Sequence, residues 1–161
     1  MRREKLKVIA AESADPPGYV LGDQVGFIMR VALQAHTVIF TARMIEDLTQ
    51  PQFAALAKLR EVGPCSQNHL GRLIFLDAAT IKGVIDRLTA RGFVSAVADP
   101  KDRRRRALAL TERGRAVTEE AIKASIEITA ATLAPLTAEE QQEVKRLLRK
   151  MARMKSDSFG G

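Results

Sequence analysis

The sequence predicts a mostly helical fold of mixed α+β character, carrying a single β-hairpin. Three observations predict it. Ala, Leu, Arg, Lys and Glu dominate the 161 residues, aromatic residues make up only 4%, and Trp is absent, which is the profile of a helical chain. Apolar residues recur at spacings of three and four along most of the length. Between about residues 93 and 110 the period switches to two. With 46% hydrophobic and 28% charged residues the chain is expected to fold, and its length suits one compact domain with a real core.

The elements follow in order. Residues 1–18 are polar and end in Asp15-Pro16-Pro17-Gly18, so an arm, or a short helix and turn, is expected there. A first helix is expected over 22–47. Its stripe of Val25, Ile28, Met29, Ala32, Leu33, His36, Ile39 and Phe40 is wide enough to bury more than one side. Thr49 is a natural N-cap, and Pro51 fits the first turn of a second helix carrying Phe53, Leu56, Ala57 and Leu59, which stops at Gly63-Pro64. Ser66 caps a short third helix over 67–75. Leu76-Asp77 makes a tight junction, and Asp77 caps a fourth helix that runs to Arg91, turns Ile81, Val84, Ile85 and Leu88 inward, and ends at Gly92. Residues 93–98 and 107–110 read as strands joined at Asp99-Pro100-Lys101-Asp102. Thr111 opens a helix over 112–133 whose apolar side is marked by Ile122, Ile126 and Leu133, and Pro135 breaks it. Thr137 to Glu140 form a capping box for a last helix with Val144, Leu147, Leu148, Met151 and Met154. Residues 156–161 are expected to fray.

The net charge of +7 and the isoelectric point near 10.0 argue for a polyanionic partner, either nucleic acid or an anionic membrane. The place of the charge decides between them. Lys101, Arg103, Arg104, Arg105 and Arg106 crowd the hairpin tip, a narrow projection and not an amphipathic membrane helix. Such a tip suits insertion of an arginine into a minor groove, with its neighbours on phosphates. The third and fourth helices make a helix-turn-helix, whose second helix fits a major groove. On that helix the outward positions are Ala78, Ala79, Lys82, Gly83, Asp86, Arg87 and Thr89, with Thr80 in reach of a base edge or a phosphate.

Other functions find less support. His36, His69 and Cys65 are the only histidines and the only cysteine, so no metal cluster is expected. No phosphate-binding glycine loop and no nucleophile with a base is present, so neither an enzyme nor a cofactor is expected. A single cysteine cannot build a disulfide framework, and neither a signal peptide nor a run long enough to cross a bilayer is read, so the expected location is cytoplasmic.

Several stretches carry a resemblance. They are Asn68-His69-Leu70-Gly71-Arg72-Leu73, residues 77–88, Arg91-Gly92-Phe93-Val94, and above all Asp99-Pro100-Lys101-Asp102-Arg103-Arg104 followed by Leu110-Thr111-Glu112-Arg113-Gly114. Over about residues 20 to 155 the chain resembles the multiple-antibiotic-resistance regulator (MarR) family. The resemblance implies a homodimer of winged helix-turn-helix subunits, with 49–111 binding DNA and 19–48 plus 112–155 intertwining as the helical dimerisation region. It implies that Arg104 enters the minor groove, that Asp102 orients the wing, and that Arg87 contacts DNA. Many members carry a basic residue where this chain has Gly83, which shifts the expected base reading toward Lys82. Ser66, Gln67, Ala79 and Thr80 complete the expected DNA-contacting set beside Lys82, Arg87 and residues 101–106.

Members of the family commonly sense a small anionic, often phenolic or aromatic, ligand. His36, Phe40, Arg43 and Met44 are the candidate lining here, with Arg43 suited to a carboxylate. The expected partners are double-stranded DNA, a second copy of the chain and a small-molecule effector (an aromatic acid, a phenol or a CoA thioester), with no membrane. The expected function is a repressor released from an inverted-repeat operator. The alternatives are a non-specific architectural DNA binder, or a repressor that senses oxidants through Cys65.

Overall fold

A computed structural model describes residues 18–100 and 102–154. The expected arm, apart from Gly18, the tail over 156–161, and Lys101 lie outside the described residues. The chain divides into two units, 1–34 and 35–161. In the first, a 3₁₀ turn at Leu21–Asp23 precedes the start of α1 (Val25–Arg43), and Arg30 lies 5.1 Å over the Phe27 ring. Helix α1 is therefore shorter than the expected 22–47. At its far end Met44 and Leu48 both turn into the core, and Glu46 and Asp47 take left-handed φ values of 54° and 48° to allow it. Within the chain only Phe40 of α1 is buried. One expectation is corrected here. By length and composition alone α1 is long and apolar enough to cross a membrane, with a mean hydropathy of 1.4 despite Arg30, a property that core helices of soluble proteins share.

In the second unit each element starts where its cap predicts. Helix α2 (Gln50–Val62) opens on a capping box between Thr49 and Gln52. Helix α3 (Gln67–Leu73) opens on Ser66, whose hydroxyl accepts from the His69 amide. It ends two residues early, because Phe75 takes a left-handed φ of 58° to turn the chain into α4 (Ala78–Ala90). Gly92 supplies the left-handed φ of 74° that leads into the hairpin of β1 (Val94–Ala98) and β2 (Arg106–Leu110), paired antiparallel from Val94↔Leu110 to Ala98↔Arg106. Helix α5 (Glu112–Leu133) and helix α6 (Ala138–Met151) follow, the latter opening on the Thr137–Glu140 capping box.

The core gathers Leu48, Leu56, Leu59, Leu70, Ile81, Val84, Ile85, Leu88, Phe93 and Leu110 between α2, α3, α4 and the hairpin. Helix α5 closes it with a face that differs from the expected one. Gly114, Thr118, Ala121 and Ile128 are buried, whereas Ile126 is 66% exposed. Small residues let α5 lie close against its neighbours, and the Thr118 hydroxyl is satisfied by the Gly114 carbonyl at 2.6 Å. Leu147, Leu148 and Met151 of α6 are exposed within the chain.

Candidate nucleic-acid interface

The interface is built from α3, α4 and the hairpin. Helix α4 begins at Asp77, whose Oδ1 accepts from the Thr80 amide at 2.8 Å and whose Oδ2 accepts from the Thr80 hydroxyl at 2.7 Å. These bonds hold the Asp77 carboxyl below the usual carboxylate range. They also commit the Thr80 proton, so Thr80 meets a ligand as an acceptor only. Burial of Ile81, Val84, Ile85 and Leu88 fixes the helix roll and turns Ala78, Ala79, Lys82, Asp86 and Arg87 outward. Lys82 Nζ lies 2.6 Å from Asp86 Oδ2, an exposed i,i+4 pair that is cheap to break.

The far end of α4 is tied at a point that sequence reasoning missed. Arg91 donates to the Glu46 carbonyl at 2.7 Å and to its carboxylate at 3.0 Å. Arg113 donates to the Arg91 carbonyl at 3.0 Å. Both guanidinium groups lie over the Phe93 ring, 4.6 and 4.9 Å from its centroid. The one signal in the sequence was basic residues beside the helix end, which also occur as ordinary surface charges.

At the hairpin, Asp99 N donates to the Arg105 carbonyl and Arg105 N donates to the Asp102 carbonyl, both at 2.9 Å, which closes the tip. Asp102 Oδ1 accepts from the Arg104 amide at 3.1 Å and Oδ2 lies 3.5 Å from Arg105 Nε. Asp102 thus shapes the turn that presents Arg104. Arg103, Arg104 and Arg106 make no ion pair with any described residue. The basic run is not all tip, since Arg106 is the first residue of β2. Ser66 caps α3, whose first residue is Gln67, and lies across a notch from Asp99, Pro100, Arg105 and Arg106 at the tip end of the hairpin.

The four candidate effector residues are spread differently. Phe40 and Met44 are core residues, 6% and 9% exposed, and Arg43 is exposed. His36 is half-buried, with Nδ1 2.9 Å from Thr132 Oγ1 and its ring 6.1 Å from that of Phe40. Cys65 is buried, and desolvation pushes its thiol up, the opposite of what a sensing thiolate needs. Among the described residues no group of His, Cys, Asp and Glu is placed to hold a metal.

Known proteins of similar sequence and fold are regulators of transcription. The model of the MarR family matches residues 48–105. The HTH-type transcriptional repressor NicR of Pseudomonas putida is 39% identical over 138 residues, 85% of this chain and 87% of that protein. A probable transcriptional regulator from Pseudomonas aeruginosa superposes with a TM-score of 0.79 at 45% identity, over 82% of this chain and 99% of that one. BpsR of Bordetella bronchiseptica, whose DNA binding is regulated by 6-hydroxynicotinic acid, superposes with a TM-score of 0.78 at 38% identity, over 85% and 99%.

Proposed function

The chain belongs to the MarR family, and from that premise we propose that it represses transcription at an inverted-repeat operator and releases it on binding a small aromatic acid. It is a DNA-binding regulator and not an enzyme. The observation that carries the reading is the pairing of a small-residue, outward face of α4 with a hairpin whose arginines are exposed and, apart from Arg105, unpaired among the described residues. In this reading Ala79, Thr80, Lys82 and Arg87 face the major groove. Arg104 enters the minor groove, and Ser66, Gln67 and the other arginines meet phosphates. Residues 49–111 bind DNA, and 19–48 with 112–155 form the dimer.

The effector reading rests on the neighbour regulated by 6-hydroxynicotinic acid, on the His36 ring 6.1 Å from that of Phe40, and on the exposed Arg43 at the end of the same helix. A guanidinium on an open surface is suited to a carboxylate, and a half-buried imidazole to a ring hydroxyl. If ligand lowers DNA affinity, DNA lowers ligand affinity by the same factor. Footprinting on the promoter upstream of the gene should protect a palindrome, and calorimetry with 6-hydroxynicotinic acid should show weaker binding once operator is added. A protected direct repeat refutes the operator geometry. Equal affinity for 6-hydroxynicotinic acid with and without operator refutes that acid as the effector. Even coverage of every duplex would make the chain an architectural binder. A cytoplasmic location belongs to the same reading, and fractionation tests it against the apolar length of α1.

A further inference from the structure

We propose that Arg91 is a positioning residue for the response to effector: it locks the end of α4 to the turn that leaves α1 by gripping Glu46, and the effector acts on DNA binding by opening that grip. This rests on the ligand-released reading above and names the tie through which the two sites communicate.

The turn is strained. The sequence favours helix on to residue 47, yet α1 ends at Arg43, and Glu46 and Asp47 take left-handed φ values of 54° and 48°. Neither is glycine, so each is held in a conformation that L side chains rarely adopt. Burial of Met44 and Leu48 holds the turn from one side. Arg91 holds it from the other, donating to the Glu46 carbonyl at 2.7 Å and to its carboxylate at 3.0 Å. Both side chains are partly exposed, so the grip is cheap to break. A strained turn under a breakable grip has two arrangements: closed, with Glu46 held, and open, with the end of α1 relaxed.

Arg91 is also where α4 is pinned. Its amide donates to the Arg87 carbonyl at 3.1 Å, its own carbonyl accepts from Arg113 at 3.0 Å, and its guanidinium lies 4.6 Å from the centre of the buried Phe93 ring. Arg87, one turn earlier, is a side chain that the reading above gives to the major groove. With Asp77 capping the start of α4 and Arg91 fixing its end, the helix is presented ready-made, and such preorganisation raises affinity. The closed arrangement is therefore the DNA-binding one. On the effector side, Arg43 closes α1 and is exposed, three residues before Glu46. Their α-carbons are at most about 11 Å apart, about one screening length at about 0.1 M salt. A carboxylate taken up by Arg43 repels that of Glu46, and letting Glu46 go relieves the repulsion. DNA thus favours the closed form and the acid the open one, which is the linkage that release requires.

The test uses the full chain and titrates two ligands separately, 6-hydroxynicotinic acid by calorimetry and the footprinted operator duplex by anisotropy. Arg91→Met keeps an apolar stem for Phe93 but cannot donate, so it favours the open form. It should bind operator more weakly and the acid about tenfold more tightly. Arg91→Lys keeps a donor and should fall between that variant and the wild type. Asp47→Gly works the other way. Asp47 is exposed and its carboxylate pairs with no described residue, so glycine removes the strain of the closed turn and leaves the grip intact. This variant should bind the acid about fivefold more weakly, with operator affinity at least that of the wild type. A chain damaged only in its fold loses both affinities, so opposite movements separate positioning from structure. Joint loss of both affinities in Arg91→Met overturns the proposal, and so do wild-type affinities in Arg91→Met and Asp47→Gly. In either case the effector reading stands, provided that the acid lifts the wild type from operator. A salt dependence of operator binding flattened in Arg91→Met by about 0.9 for each lost contact would make Arg91 a phosphate ligand and also overturn the proposal. If the acid fails to lift the wild type from operator, the effector reading falls and the proposal falls with it.

Discussion

Gly114 leaves no room for a side chain. A Cβ there would lie 1.9 Å from the Phe93 carbonyl oxygen, which also accepts from the Thr111 amide at 3.0 Å. Gly114→Ala must therefore push the start of α5 off the hairpin. A cost of about 1–3 kcal/mol or more is expected, read as a lower urea midpoint at unchanged slope. Asp77 gives a pH signature instead. Its carboxyl sits below the usual carboxylate range because Thr80 donates to it twice. The stability it adds is therefore present above the unfolded carboxylate value and is lost as pH falls through the folded one. Asp77→Asn keeps a capping oxygen but cannot titrate. The variant should lose less stability than the wild type between about pH 5 and about pH 2, and equal losses would remove Asp77 from the acid response. The capping role of Asp77 was legible in the sequence, as were those of Thr49, Ser66, Thr111 and Thr137, because a cap is a local bond between residues three apart. The constraint on Gly114 was not, because it comes from a residue 21 positions away.

At the scale of elements, the hairpin and α4 should fail in different ways when altered. Arg104→Ala is expected to weaken binding to operator and to scrambled DNA, whereas Lys82→Ala is expected to cost about 1–3 kcal/mol against the correct operator only, if Lys82 reads a base. A salt titration of both variants on both duplexes checks this, and wild-type affinity in Arg104→Ala would remove the wing from the interface. The helix-turn-helix and the hairpin were legible because their signals are local: caps, a glycine stop and a change of period. The inward face of α5 was not. A helical stripe counts bulky residues, yet the buried side is chosen by Thr118 and Ala121, which let α5 approach closely, and it leaves Ile126 outside. The ends of α1 were missed for a related reason. Glu46 and Asp47 have ordinary helix propensities, and only the burial of Met44 and Leu48, with the hold of Arg91 on Glu46, bends the chain there. The candidate effector residues are harder to read from sequence than the wing. They depend on how distant elements meet, whereas the wing is a single run of sequence.

For the whole molecule, the apolar surface that the chain leaves uncovered predicts its assembly. On α6, Leu147, Leu148 and Met151 are 42%, 48% and 53% exposed, on a helix that is otherwise strongly polar. On α5, Ile126 adds to the uncovered apolar surface. Monomeric proteins seldom leave such faces open, and a dimer formed through α5 and α6 would bury them. The chain is therefore expected to sediment at twice its own mass at micromolar concentration. A charge placed on this face should separate folding from assembly. Leu148→Glu would put a carboxylate without a partner into the dimer, a cost of several kcal/mol there, while in a single chain the same position is open to water. The variant should keep its helical circular dichroism and sediment as a monomer. DNA binding then gives the decisive reading. A dimer engages two half-sites centred about 10 base pairs, or a small multiple, apart, and the second half-site is engaged at a high effective concentration. The wild type should therefore prefer a two-half-site duplex over a single half-site by orders of magnitude, and Leu148→Glu should show almost no such preference. A Leu148→Glu chain that remains a dimer would take α6 out of the interface. A monomeric variant that still prefers the palindrome would mean that two chains meet on DNA through another surface.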